Sequence, residues 1–304
     1  MDKTDIALCL MLLANSRTPV RELAEKLGLS VAAVHARLQA LRDSGIIRAF
    51  TARIGLAKLQ ATTAMLWGTS QVASNDDILE RVRRNDHIYW IAFGGAGFLY
   101  IGAYLRSLAE LDGFVSSVVK EAEVTNPVVG LLPLGPGLPG EPVLNRLDCR
   151  ILRSLHRDAR KSIADVAAEL GISAKTAGRR LSRMVADGSA ELSMEWYPDV
   201  GNEVMTMWHL DLRPGADRER ASALLMNEYR ENLLFAWPMS NLPQFLLAAT
   251  WTGSMKDLKD LQARLRKEAA FGRLVPNILY TGYMLDTWRD ELLLKWAGPK
   301  EKSG

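Results

Sequence analysis

The chain has 304 residues, of which 48% are hydrophobic and 24% are charged, and its net charge is +3. This length exceeds the ~100–200 residues of one domain, so we expect two or more domains with sizeable cores rather than a largely disordered chain. The net charge is too small to indicate a polyanion binder by itself. Two cysteines exclude a disulfide framework. The absence of a signal pattern and of a ~20-residue apolar span predicts a cytoplasmic protein without a membrane partner.

The first elements in the chain are three predicted helices. Apolar residues keep helical spacing on both sides of a break at 16–19. Gly28 predicts a helix end and Ser30 the N-cap of the third helix. Two helices joined by a four-residue turn form a helix-turn-helix, whose second helix enters the major groove of DNA. The extended segment 46–54 indicates a winged variant, so we assign residues 1–53 to a winged helix-turn-helix domain.

Residues 54–134 predict four strands and two helices in the order βαββαβ, which is typical of a ferredoxin-like domain. The expected elements are strand 61–68, helix 76–84, strands 88–93 and 98–105, helix 108–120 and strand 124–132. The glycine-rich run at 94–97 lies between two strands and does not open a helix, so it favours a hairpin or an effector-binding turn over a phosphate loop.

A Pro/Gly linker at 135–145 leads to a second copy of the same plan. A shift of 143 positions aligns residues 5–47 with 148–190 without a gap, and ten of the 43 positions are identical, where composition alone gives about three. We assign a second winged helix-turn-helix to 146–197, a second ferredoxin-like domain to 198–290 and a C-terminal tail to 291–304. The second domain has predicted elements at 204–212, 219–229, 233–238, 244–251, 255–268 and 274–284. The fold class is therefore α+β, with two winged helix-turn-helix domains alternating with two ferredoxin-like βαββαβ domains.

Charge is distributed unevenly among these domains. Residues 1–53 hold eight Lys and Arg against five Asp and Glu, and residues 146–195 hold ten against seven, whereas residues 54–145 hold six against nine. Cations concentrated on the helix-turn-helix domains indicate double-stranded DNA as the partner, because phosphates supply most of the non-specific attraction. Solvated helix faces are the alternative explanation.

The two third helices differ on their outward faces. The second carries Lys175, Thr176, Arg179, Ser182 and Arg183, which can reach guanine edges and phosphates. The first carries mainly alanines and Gln39, which predicts an AT-rich half-site, with docking on the DNA backbone alone as the alternative. The predicted DNA-contacting residues are Arg17, Ser30, His35, Arg37, Gln39, Arg42, Arg48, Arg53, Arg160, Ser173, Lys175, Thr176, Arg179, Arg180, Ser182 and Arg183.

The domain order and a run of residues in the second half carry a family resemblance. The run comprises Leu147-Asp148, Ile151-Leu152, Leu155, Asp158-Ala159-Arg160, Val166-Ala167, Leu170-Gly171-Ile172-Ser173 and Arg180-Leu181. It resembles the Lrp/AsnC feast-famine transcription regulators, in a tandem version that holds two protomers. The resemblance implies an intramolecular pseudo-dimer that forms a homodimer or a higher assembly and is modulated by an amino acid or another metabolite.

The resemblance also suggests where an effector would bind, namely at the turns between the second and third strands of each ferredoxin-like domain. The candidate effector contacts are Gly95, Ala96, Gly97, Ser240, Asn241 and Gln244. The acidic residue that the family usually carries just after this turn is absent, since Gly97-Phe98 and Pro243-Gln244 stand there. This departure argues against a simple amino acid as the ligand.

Two other function classes share parts of this pattern. Siroheme decarboxylases resemble these regulators in fold, but they usually show paired arginines after the third helix's glycine, where this chain has one, Arg48. A non-DNA adaptor is disfavoured by the cations of the second copy. The four histidines are scattered singly and no nucleophile or Walker motif occurs, so no metal, cofactor or catalytic residue is predicted.

Overall fold

The computed structural model describes residues 1–133 and 144–299. Its helices and strands, in chain order, are α1 (Lys3–Ala14), α2 (Val20–Leu27), α3 (Val31–Asp43), β1 (Ile47–Ile54), β2 (Thr62–Ser70), α4 (Asn75–Val82), β3 (Ile88–Gly94), β4 (Phe98–Leu105), α5 (Leu111–Glu121), β5 (Val124–Leu131), α6 (Arg146–Leu155), α7 (Ile163–Leu170), α8 (Ala174–Ala186), β6 (Ala190–Trp196), β7 (Val204–Leu212), α9 (Arg218–Glu228), β8 (Leu233–Pro238), β9 (Phe245–Thr252), α10 (Met255–Leu265), β10 (Phe271–Met284) and α11 (Trp288–Ala297). Every helix in the described part of the chain is too short or too polar to cross a membrane.

The described residues form two compact units. The helix-turn-helix unit contains residues 4–61, 144–197 and 286–299, and the sheet unit contains residues 1–3, 62–133 and 198–285. Each unit therefore combines segments from both halves of the chain. This α+β architecture confirms the predicted fold class. Most of the linker expected at 135–145 lies outside the described residues.

The two helix-turn-helix copies form as their local sequence signals predict. Gly28 and Gly171 end α2 and α7 in the left-handed conformation, each at a φ of 65°, which glycine adopts without steric cost. The Ser30 side chain then accepts a hydrogen bond from the backbone N–H of Ala33, and Ser173 accepts one from Thr176. Such N-caps satisfy backbone donors that a helix start leaves free.

The extended segments expected as wings pair with each other. Strand β1 runs antiparallel to β6, from Ile47 opposite Trp196 to Ile54 opposite Ala190. Most apolar residues of both strands are buried, among them Phe50, Ile54 and Leu192, so the ribbon joins the two copies through apolar contacts as well as backbone hydrogen bonds. The two copies consequently belong to one unit instead of two separate heads.

The segment expected as a C-terminal tail contains a helix. Thr287 and Asp290 form a capping box at the start of α11, and Trp288, Leu293 and Ala297 are buried. The helix packs against α6 and β1. Its apolar face explains why the segment folds onto the unit, and residues 300–304 lie outside the described part of the chain.

The sheet unit contains both ferredoxin-like halves in one eight-stranded sheet. The strand order is β5-β2-β4-β3-β10-β7-β9-β8, and the halves join where β3 pairs antiparallel with β10, from Gly94 opposite Leu279 to Trp90 opposite Met284. Helices α4 and α5 cover one half, and α9 and α10 cover the other. Each half has its own core beneath its helices.

A third core cluster lies on the faces of the sheet that the helices do not cover. Met65, Trp67 and Tyr100 from the first half pack with Met207 and Leu247 from the second. Apolar surface on both halves is thus buried within one chain. The loop after β8 contacts β5 at the opposite edge of the sheet, where the Ser240 backbone N–H donates to the Leu131 carbonyl at 2.7 Å. The sheet is therefore strongly curved.

Candidate nucleic-acid interface

Helix α8 presents a cationic outer face. Lys175, Arg179, Ser182 and Arg183 are exposed, while Ala177, Leu181 and Met184 are buried. These four residues therefore lie on the outward face of the helix, as the sequence predicted. This face offers ammonium, guanidinium and hydroxyl donors, the groups that contact phosphates and guanine edges.

Helix α3 presents a weaker set of donors. Its exposed residues include Ala32, Ala36, Ala40, His35, Gln39 and Arg42. The Gln39 amide donates to Asp43 Oδ1 at 2.7 Å, which leaves part of its hydrogen-bonding capacity engaged within the helix. The alanine methyl groups suit contact with thymine methyls and cannot hydrogen-bond to bases. The two outward faces are therefore chemically unequal.

A buried carboxylate holds the third helix of the second copy. Asp148 is fully buried, and its two oxygens accept from Arg180 Nη1 at 2.9 Å and from Arg183 Nη2 at 2.6 Å. In the first copy, Arg37 donates to Asp5 at 2.7 Å. Arg37 and Arg180 are thus bound within their own domains, although the sequence predicted DNA contacts for both. Arg183 is 44% exposed and can both support Asp148 and face outward.

Arg17 and Arg160 join the two copies, whereas the sequence predicted that they contact DNA. Arg17 donates to the carbonyls of Ala159 and Lys161, at 2.6 and 2.7 Å. Arg160 donates to those of Ser16 and Thr18, at 2.6 and 3.3 Å. Burial lowers the pKa of both groups, and the neighbouring charge of Arg17 lowers that of Arg160 further. This reciprocal exchange spans 142 to 144 residues of sequence, so no local pattern could reveal it.

The two predicted wing cations have different surroundings. Arg53 is 16% exposed and donates to Asp290 at 2.6 Å, with Glu195 at 3.8 Å. It stabilises the ribbon and α11 instead of facing a phosphate. Arg48 is exposed and its guanidinium lies 3.6 Å from the ring centre of Tyr197, a cation–π geometry that leaves its edge donors available.

Arg42 and Arg48 line a polar cleft of about 600 Å³ beside the end of α3, together with Gln39 and Asp43. Both arginines are exposed. In the second copy the matching positions are Val185 and Glu191. Two exposed cations of the first copy therefore lie beside the C-terminal end of its third helix, where they suit contact with the DNA backbone.

An ionic cluster that sequence reasoning missed surrounds the start of α11. His156, Asp286 and Asp290 place ligand atoms within 4.8 Å of one another, but Arg53 and Arg157 already pair with the carboxylates. Burial alone would raise the pKa of Asp290, but Arg53, the Thr287 backbone and His156 hold it below its usual value. The cluster is therefore a salt-bridge network. A Thr-x-x-Asp capping signal at 287–290 was the available clue.

The two turns proposed for effector contact also differ. Gly95 has open space around its Cα, and Ala96 adopts a left-handed φ of 56°. At the other turn, the Asn241 carboxamide bonds to both the N–H of Leu131 and the carbonyl of Val129, each at 2.8 Å. Asn241 thus takes the place of a strand residue along β5.

The other two candidates at that turn, Ser240 and Gln244, are no better placed for effector contact. The Ser240 hydroxyl donates to the Leu131 carbonyl at 2.8 Å, so Ser240 also binds the edge of β5. Gln244 is exposed and its backbone carbonyl accepts from the N–H of Leu212 at 2.8 Å. Effector contact at the two turns stays a prediction.

A polar trio lies within the cluster that the two halves share. The Asn277 amide donates to the Tyr100 hydroxyl at 2.9 Å, and this hydroxyl lies 2.7 Å from His209 Nε2. Burial lowers the pKa of His209 to about 4, which favours a neutral ring in this hydrogen bond. Beside the trio, Trp67 stacks on Phe245 with ring centres 5.4 Å apart. Side chains of the two halves therefore contact each other directly at this point.

Two family comparisons match the helix-turn-helix segments. Residues 1–48 match winged helix-turn-helix DNA-binding domains, and residues 144–185 match the AsnC-type helix-turn-helix domain. An uncharacterised HTH-type transcriptional regulator of Pyrococcus furiosus is 30% identical over 135 residues, which is 43% of this chain and 91% of that protein. A second such regulator from the same organism is 37% identical over 124 residues, 40% of this chain and 84% of that protein. Each relative thus aligns nearly end to end with less than half of the chain.

A solved structure shares the fold along the whole chain. The crystal structure of the siroheme decarboxylase NirDL matches with a TM-score of 0.61 and covers 97% of both chains. Sequence identity over this match is 13%. At this identity the likeness shows a shared fold.

Proposed function

The chain belongs to the Lrp/AsnC family of HTH-type transcriptional regulators, and we propose that it is a sequence-specific DNA-binding regulator in which one chain supplies both reading heads. The observation that carries this proposal is that both helix-turn-helix copies belong to a single compact unit. A dimer normally provides two such copies to read two half-sites. Here the ribbon of β1 and β6 and the reciprocal arginines hold them together.

We propose further that the binding site has two unequal halves. A symmetric dimer imposes a palindrome because identical helices read both half-sites. In this chain α8 supplies Lys175 and Arg179, whereas α3 supplies alanines and Gln39. The half-site under α8 should therefore be well defined and the half-site under α3 degenerate and AT-leaning. Arg42 and Arg48 would attach the first copy mainly to the backbone.

The test is to sequence the DNA fragments that the purified chain retains and to footprint the selected site at nucleotide resolution. Losing a bidentate base contact costs ~1–3 kcal/mol, so Arg179→Ala should weaken specific binding about tenfold or more and Gln39→Ala much less. Arg183→Ala is a poor probe because it also removes a partner of Asp148. Lys26→Ala, on the exposed side of α2, is the matched control. Two equally defined halves, equally sensitive to both variants, would refute the proposal of unequal heads.

A small metabolite bound at the turn of Gly95, Ala96 and Gly97 would provide regulation. This turn supports the proposal because it keeps space beside Gly95, whereas Ser240 and Asn241 are engaged with β5. DNA retention measured with and without candidate metabolites tests it. Loss of the effect in Gly95→Leu, which fills the space beside Gly95, with DNA binding preserved, would support contact there, and an unchanged effect would exclude this turn.

A tetrapyrrole enzyme is the second candidate, and the whole-chain fold likeness to a siroheme decarboxylase favours it. The contacts of Trp67 with Phe245 and of Tyr100 with His209 weigh against it, because a planar macrocycle between the two halves would have to separate them. Absorbance titration with an iron uroporphyrin distinguishes the two functions. A saturable shift of the main absorption band, reduced by Trp67→Ala, would favour the enzyme.

A further inference from the structure

The helix-turn-helix unit contains a cleft that the proposed DNA contacts do not involve. It encloses about 610 Å³ and is lined by Lys58 and Leu59 after β1, by Leu144 and Arg146 at the start of α6, and by Trp296 on α11. Clefts of ~300–1,000 Å³ accommodate small organic ligands. The cleft is therefore large enough for a small metabolite and too small for a long protein segment.

The lining combines two cations with an apolar wall. Lys58 and Arg146 contribute positive charge, and none of the described residues that line the cleft is a carboxylate. Within the described part of the chain, neither cation has an ion-pair partner. Trp296 is 36% exposed and lines the cleft with part of its large apolar ring. Cationic groups beside an open indole face suit an anion that carries an apolar or aromatic body.

Cys149 also lines the cleft, but it belongs to the wall. The residue is 1% exposed, and burial with the nearby Asp148 raises the pKa of its thiol to about 11. A thiol that stays protonated at neutral pH is a poor nucleophile. The cleft therefore points to reversible binding and not to covalent chemistry.

The position of the cleft in the chain gives a reason for a ligand to matter. The wall segment 58–60 directly precedes residue 61, the last residue before the chain passes to the other unit. Helix α11, which carries Trp296, also holds the ribbon, because Arg289 bonds to the Ile54 carbonyl of β1 and to Glu191 of β6. A ligand against α11 would thus act on the element that ties the two DNA-reading copies together.

We propose that this cleft binds a small organic anion, a carboxylate or a phosphate attached to an apolar or aromatic body, and that its occupancy alters DNA affinity through α11. The coupling to DNA rests on the proposed regulatory function. Binding itself does not. The head group sits between Lys58 and Arg146, and the apolar body lies against Trp296 and Leu59.

Binding is tested on the full chain by saturation-transfer NMR with three probes, benzoate, phenyl phosphate and benzyl alcohol. We expect saturable binding of both anions, with the neutral alcohol at least tenfold weaker; the ratio of the two anions shows which head group the site prefers. Lys58→Met or Arg146→Met should weaken both anions about tenfold and leave benzyl alcohol unchanged. Trp296→Leu should weaken all three. Lys26→Met, which removes a cation elsewhere in the same unit, should change nothing.

Several results would overturn the assignment. These are no saturable binding of either anion, equal binding of the alcohol, or an effect of Lys26→Met as large as that of Arg146→Met. Circular dichroism and thermal unfolding show whether each variant is folded, and the three cleft variants provide independent tests should one fail to fold.

The coupling is tested separately by measuring DNA affinity at saturating benzoate. We expect at least a threefold change in the wild-type chain and none in Arg146→Met; an unchanged affinity despite bound benzoate would overturn the coupling. Failure to bind any DNA would instead refute the proposed function and leave the NMR result for the cleft intact.

Discussion

The reciprocal arginines provide the sharpest test of how the two copies are held together. Arg17→Met would remove two hydrogen bonds from a charged donor to backbone carbonyls, one of them on Ala159, which is fully buried. Each such bond contributes ~1.5–3 kcal/mol, and a carbonyl left without a donor adds to the loss. Because the guanidinium is only half buried, we expect the free energy of unfolding of this unit to fall by about 3 kcal/mol, within the range of these bonds.

The assay combines thermal unfolding with DNA binding at several salt concentrations. A loss of this size lowers the melting temperature by on the order of 10 °C for a unit of this length. The salt dependence of DNA binding should keep its slope, since Arg17 contacts no phosphate in this arrangement. Arg160→Met should behave alike, and Arg21→Met, which changes an exposed arginine on α2, should leave both quantities nearly unchanged.

A double-mutant cycle tests whether the interaction between Arg17 and Arg160 is attractive or repulsive. The two guanidinium groups repel each other, as the effect of Arg17 on the pKa of Arg160 shows. Each single change also relieves this repulsion, so the loss in the double variant should be larger than the sum of the single losses. The reasoning is refuted if Arg17→Met leaves stability unchanged and lowers the salt slope by about one, because that is the behaviour of a phosphate contact.

Three further predictions concern polar side chains that have partners within their own unit. Asp148→Asn should cost about 3–5 kcal/mol in urea unfolding because the carboxylate is fully buried between two arginines, and Asp5→Asn, at 15% exposure, should cost less than half of that. Since burial lowers the pKa of His209 from 6.5 to about 4, the unfolded chain takes up this proton first; stability should fall as the pH drops from 6.5 towards 4, by on the order of 3 kcal/mol, and His209→Gln should remove this dependence. Asn241→Ala should speed hydrogen exchange at the Leu131 amide while leaving amides of the central strands unchanged, and unaltered exchange at Leu131 would contradict the strand-like role of Asn241.

Much of the fold was available from the sequence because its signals are local. Strands at 98–105, 204–212 and 233–238 have the bounds predicted from the sequence. Gly28 and Ser30 marked the turn of the first copy through backbone preferences that act within four residues. Such signals need no knowledge of distant contacts, so they remain legible in a single chain.

The partners of the arginines could not be read in the same way. Arg17, Arg53 and Arg160 are cations near a DNA-binding motif, and charge alone favoured contact with DNA. Their actual partners lie 142 or more residues away in sequence, where only the folded unit brings them together. Helix α11 was missed for a different reason, because its capping signal at 287–290 was present and was outweighed by the expectation of a tail.

The two copies agree where residues build the unit and differ where they face outward. The identical pairs Arg17/Arg160 and Gly28/Gly171 join the copies or shape their turns. The differing pairs Ala32/Lys175 and Ala36/Arg179 lie on exposed faces of α3 and α8. Fusion into one chain makes this divergence feasible, since a homodimer must present the same residues on both heads. The difference in reading is therefore carried by a few exposed side chains.

Grafting those side chains onto the first copy tests this conclusion directly. The graft changes Ala32→Lys, Ala36→Arg, Gln39→Ser and Ala40→Arg. None of the replaced residues is buried, so the cost in helix stability should stay within about 1 kcal/mol. Sites selected by the grafted chain should have two equally defined halves, because both helices then offer the same lysine, serine and arginine donors at the same positions of one helix-turn-helix plan. The reverse change, Lys175→Ala with Arg179→Ala, should leave both half-sites degenerate. It is also the control for the positive charge that the graft adds. If the graft raises affinity for all DNA alike and the first half-site stays degenerate, the inequality of the heads lies in how they are placed on DNA and not in their exposed residues.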